Sequence, residues 1–142
     1  MAEEVREGGC HCGAVRFEAR LPRGLSGARR CTCSICRMRG AVALPVALED
    51  LRITRGTDAL TEYRFNTGEA RHFFCSVCGI YTHHQRRFDP NQYSINVACL
   101  DGVSPFDFAA VPVNNGVHHP NDNGGRSRRA GMLRFESAAP EA

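Results

Sequence analysis

The sequence predicts a mainly β domain stapled by metal ions. Short segments of alternating, β-branched or aromatic character recur along the chain, and glycines and polar turns punctuate them. Seven of the eight cysteines gather in three tight clusters, and no sustained 3.6-residue period appears. Antiparallel sheets with few short helical turns follow. With 142 residues, 42% hydrophobic and 23% charged, the chain suits one hydrophobic core.

In chain order, strands are expected at residues 14–19 (AVRFEA), 41–46, 51–54 and 60–65, then at 71–74, 80–82 and 93–98. Single helical turns are expected in SICRMRG, after Cys33, and at residues 105–110. One domain spans residues 1–112. Beyond it, residues 113–142 form a polar, glycine-rich tail that reads as loop, partly ordered at most. Within the tail, MLRF (Met132 to Phe135) is a candidate edge strand, although so small an apolar patch gains little against the entropy of ordering it.

The N-terminal MAEEVREGG is acidic and polar, and the longest mainly apolar stretch, residues 41–48, is far too short for a bilayer. A soluble cytoplasmic protein with no membrane partner is expected, and reduced thiols there serve better as ligands than as bridges. The formal charge of +3 is cancelled once seven thiolates and two zinc dications are counted, so nucleic acid is not an expected partner. All 18 basic residues are arginines, whose planar fork grips carboxylates.

Cys10 with Cys12 and Cys75 with Cys78 have the spacing of metal knuckles. A disulfide across so short a loop is strained, whereas neighbouring thiolates converge readily on one ion. The two doublets make one closed, tetrahedral, structural zinc site, with Gly13 and Gly79 giving the turns room. The triplet Cys31, Cys33 and Cys36 offers three thiolates and leaves one position open. A water, a substrate thiol or another side chain would fill it, and a coordinated thiol would be kept as a nucleophile.

Arg29, Arg30, Arg37 and Arg39 flank the triplet, where they favour thiolates, attract carboxylates or simply face water. A competing reading closes the triplet with Cys99 or a histidine as a second structural site. Cys99 otherwise reads as a small buried hydrophobe. His11, His72, His83 and His84 border the knuckles and read as packed or exposed residues, while His118 and His119 lie in the tail.

Taken in order, GGCHCGAVRFEA, CTCSICRMRG and FFCSVCGIYTHH resemble the glutathione-dependent formaldehyde-activating enzyme and centromere protein V family, over residues 8–101. The resemblance implies a zinc-stabilised β-tent of antiparallel sheets. Cys10, Cys12, Cys75 and Cys78 match the family's structural zinc ligands, and Cys31, Cys33 and Cys36 match its catalytic zinc ligands. It further implies a carbon–sulfur lyase, an S-(hydroxymethyl)glutathione synthase joining glutathione and formaldehyde. Glutathione's carboxylates would be anchored by arginines, with Arg37 and Arg39 expected first and Arg86 and Arg87 as further candidates.

The alternative is a non-catalytic, zinc-stabilised module that binds a small thiol or a protein partner. Chromatin and cytoskeletal partners are not expected. A methionine sulfoxide reductase on a similar scaffold would need two CxxC doublets and a separate redox cysteine, and the doublet spacing here differs.

Overall fold

The structure, a computed structural model, describes residues 3–140. Residues 141–142, at the end of the expected tail, lie outside the described residues. In chain order the elements are β1 (Glu4–Gly9), β2 (Arg16–Leu21), β3 (Arg30–Cys31), α1 (Ser34–Arg39), β4 (Ala43–Ala47) and β5 (Leu51–Arg55). They continue with β6 (Leu60–Tyr63), β7 (Arg71–Cys75), β8 (Tyr81–Gln85), β9 (Gln92–Asn96), β10 (Ala110–Asn114) and β11 (Arg129–Arg134). The fold is mainly β, with short 3-10 turns between strands, one of them over Pro105–Asp107.

Among the described residues the strands form three sheets: β1-β2-β5, β4-β9-β8-β7-β6 and β11-β10-β3. The first two are antiparallel throughout, and β3 runs parallel to β10. The period-two pattern places Phe17, Ala19 and Leu21 of β2 inside, while the residues between them face outward or sit half-buried. They join Leu44 and Val46 of β4, Ile95 of β9 and Val111 of β10 in one core. Every strand expected from the sequence has its counterpart within a few residues, because this alternation is a local property of the chain.

β1 was not anticipated from the polar N-terminus. Its residues are half-buried or exposed up to Gly8 and Gly9, so pairing with β2 rather than burial of side chains recruits it. The C-terminal segment is held similarly. β11 pairs antiparallel with β10, although Met132, Leu133 and Phe135 stay substantially exposed. No helix among the described residues is long and apolar enough to cross a membrane.

Candidate functional site

Both cysteine doublets sit in hairpin turns. Cys10 and Cys12 lie between β1 and β2, where the Cys10 amide donates to the Val15 carbonyl at 3.1 Å. Cys75 ends β7, and the turn to β8 closes when the Cys75 amide donates to the Ile80 carbonyl at 3.0 Å. Gly13 and Gly79 follow with φ of 79° and 80°, the left-handed region these turns require.

The four sulfurs converge within 4.8 Å of one another. Thiolates on a tetrahedral zinc at about 2.3 Å stand about 3.8 Å apart. Here the Cys10–Cys12 and Cys12–Cys75 sulfur separations are 3.6 and 3.7 Å. Backbone amides of Val15, Val77 and Cys78 point at these sulfurs from 3.3 to 3.5 Å, the outer support that ligating thiolates need. The quartet therefore fits zinc by donor set and size.

The triplet is built differently. Cys31 lies in β3, Cys33 caps the N-terminus of α1, and Cys36 is one turn into that helix. The Cys33 sulfur accepts from the Cys36 amide at 3.5 Å, and the Cys31 sulfur accepts from the Cys33 amide at 3.4 Å. These three sulfurs also lie within 4.8 Å of one another, and no fourth His, Cys, Asp or Glu joins them among the described residues. Thiols this close share their protons. Hydrogen bonds from Cys31 and Cys36 pull Cys33 far down, and the same contacts push Cys36 and Cys31 up. A divalent cation would relieve that conflict, so this donor set fits a metal as well.

Cys99 belongs to neither cluster. It is buried, donates to the Tyr81 carbonyl at 3.4 Å, and burial pushes its thiol up to about 12. All eight cysteines are free thiols.

The triplet lines a cavity of about 480 Å³. One side is closed by residues from the expected tail. The Gly116 amide donates to Thr32 Oγ1 at 3.0 Å, and the Thr32 amide donates to the Asn114 carbonyl at 3.0 Å. A Cβ on Gly116 would overlap the Cys31 sulfur and come within 2.8 Å of Cys33 Cβ, so only glycine fits. Gly116 escaped the sequence reading because its partners lie more than eighty residues away. The NNG around it was the only local signal.

The arginines divide by role. Arg37 lines the cavity and is exposed. Arg39 lies in an adjoining pocket, its guanidinium 3.7 Å from the Tyr81 ring centroid. It donates to Cys36 Sγ at 3.5 Å and stands 3.1 Å from His72 Nδ1. Arg87 is fixed by Glu69 and Asp122, which hold its proton tightly and keep their own carboxyls low. Burial and the nearby Arg29 charge lower Arg86 to about 10.

His72 and His84 also line the cavity, stacked at 4.9 Å. Burial and the Arg39 charge push His72 down to about 4, so it is neutral near pH 7. A guanidinium can only donate, so His72 Nδ1 accepts and the proton sits on Nε2. That buried Nε2 has no partner among the described residues. His119, from the tail, lines the same cavity, while His11 and His118 join neither cysteine cluster.

A two-cluster, thiol-lined β scaffold is thus on view, and its family can be assigned. Residues 5–112 match the family model for the glutathione-dependent formaldehyde-activating enzyme, and the chain belongs to that family. A Halomonas elongata protein named "Putative glutathione-dependent formaldehyde-activating enzyme" is 35% identical over 80 residues. That match covers 51% of this chain and 50% of the relative, so the chain spans about half the length of the curated relative it matches. The crystal structure of a Rhodobacter sphaeroides protein is similar at 55% identity and a TM-score of 0.73, covering 75% of this chain and 98% of that one.

Proposed function

We propose that the protein is a zinc-dependent carbon–sulfur lyase that joins glutathione and formaldehyde into S-hydroxymethylglutathione. One observation carries the reading: the two clusters are unequal. Four thiols close around one point, whereas three line a cavity of about 480 Å³ with no fourth side-chain donor among the described residues. Membership of the family supports glutathione and formaldehyde as the reactants.

A zinc ion in the triplet would supply a positive centre that keeps an entering sulfur as thiolate at neutral pH. The chain's own residues do the positioning. Cys31, Cys33 and Cys36 would hold the ion, Gly116 and Thr32 close one side of the cavity, and the arginines draw in an anionic tripeptide. In the reaction the sulfur bonds to the carbonyl carbon and the C=O π pair moves onto oxygen. The proton lost by the thiol is matched by one gained at that oxygen, so nothing is oxidised or reduced. Neutral His72, with its unpartnered Nε2–H, is a suitable hydrogen-bond donor to that oxygen, keeping its own proton while water supplies the one gained. Holding both reactants replaces a rare encounter in solution.

The eight free thiols support a reducing compartment, and the reading places the protein in the cytoplasm. Exchange NMR of glutathione with formaldehyde tests the activity. The purified protein should speed adduct formation above the spontaneous rate, and Cys33→Ala should return it to that rate with the circular dichroism unchanged. Loss of fold in Cys33→Ala would make the triplet structural. A wild type that binds the thiol without speeding the reaction would be a binding module.

A further inference from the structure

Five arginines line the cavity beside the triplet: Arg29, Arg30, Arg37, Arg86 and Arg87. Their surroundings differ. Arg87 is neutralised by Glu69 at 2.9 Å and by Asp122 at 2.6 Å. Arg37 is exposed, so water solvates its charge. Arg30 reaches toward Gly40, the C-terminal cap of α1. Arg29 and Arg86 remain, both half-buried, and neither forms an ion pair among the described residues.

Both are nevertheless held in place. Arg29 is fixed through its backbone by reciprocal hydrogen bonds with Ala43 of β4, at 2.9 and 2.8 Å, and its Nη2 is buried with no partner. Arg86 follows β8. Its amide donates to the Gln92 carbonyl at 3.0 Å, its Nη1 donates to Gln92 Oε1, and its guanidinium stands 5.2 Å from the Phe88 ring centroid. Every one of these contacts is neutral. Two partly desolvated cations in one cavity are costly unless an anion joins them. The triplet does not suffice, because three thiolates around a dication carry one net negative charge, and Cys36 already accepts from Arg39.

We infer that Arg29 and Arg86 form a carboxylate-binding subsite for the glycyl end of the thiol substrate. The assignment rests on the thiol-binding reading above and names the residues that select the substrate. Guanidinium forks match a planar carboxylate. The γ-glutamyl carboxylate is the poorer match, since the ammonium beside it would be repelled by two arginines. The glycyl carboxylate stands alone.

Calorimetry with S-methylglutathione and its glycyl monoethyl ester tests the subsite on the metal-loaded protein. Wild type should bind the free acid about tenfold or more tighter than the ester, as expected for a charge-assisted contact. Arg86→Met and Arg29→Met should bind both forms equally weakly. Arg86→Lys, which keeps charge without the fork, should retain a reduced preference and serves where a methionine variant fails to fold. Equal binding of acid and ester by wild type, or undiminished discrimination in Arg86→Lys, overturns the assignment. The sulfur of this probe is capped, so the readout needs no turnover. A preference for the acid in a protein that does not speed adduct formation removes the lyase reading and leaves the subsite standing; turnover without the preference does the reverse.

Discussion

Gly116 lies in van der Waals contact range of two triplet ligands, where a single methyl group would be too much. Its added Cβ would overlap the Cys31 sulfur, so Gly116→Ala must push either the loop or the ligand away. The expected outcome is loss of the triplet's metal, seen as about one ion per chain in place of two, with Tm changed by only a few degrees. Two tightly held ions in this variant would refute it. His83 permits a prediction of a different kind. It is 4% exposed, and burial alone lowers it to about 4 from the unfolded value of about 6.5. The unfolded chain therefore binds more protons in that window. Stability is fully present above about pH 6.5 and falls as pH drops toward 4, by about 3 kcal/mol from this group. In His83→Gln, denaturant midpoints should decline less steeply across the same window; an unchanged slope would mean that other groups govern it.

At the scale of elements, α1 is too short to persist alone. It has six residues, well below the length at which an isolated helix holds in water. The bonds at its two ends run from the Arg37 amide to the Cys33 carbonyl at 2.9 Å and from the Gly40 amide to the Cys36 carbonyl at 3.0 Å. Both acceptors belong to triplet cysteines, so metal at the triplet would clamp the helix. Mild chelation should accelerate amide exchange at Arg37 and Gly40 while β8 and β9 keep their protection. Equal protection before and after chelation would show that packing alone holds α1. β11 makes the opposite point. Its Met132 and Leu133 remain about 42–43% exposed, so its place depends on backbone pairing with β10. The sequence offered only its short MLRF patch as a candidate edge strand, and the pairing with β10 extends it back to Arg129.

Across the whole molecule, the quartet ties the β1–β2 turn to the β7–β8 turn, joining two sheets through cysteines 63 residues apart. With zinc bound there, binding energy is folding energy. Cys75→Ala, which leaves only three donors in the quartet, should lower Tm by about 10 °C or more or prevent folding, while Cys33→Ala leaves the melt near wild type. Similar melts for the two variants would contradict this division of labour. The sequence alone determined the strands with alternating cores, the turn at each doublet and the grouping of cysteines, since those signals span only a few neighbouring residues. β1, β11 and the placement of Gly116 over Cys31 were decided by tertiary structure. So was the contrast among the arginines: Arg87 meets Glu69 and Asp122, whereas Arg29 and Arg86 form no ion pair among the described residues. Which charges meet, and which are left for a ligand, depends on contacts between distant segments that no local pattern encodes.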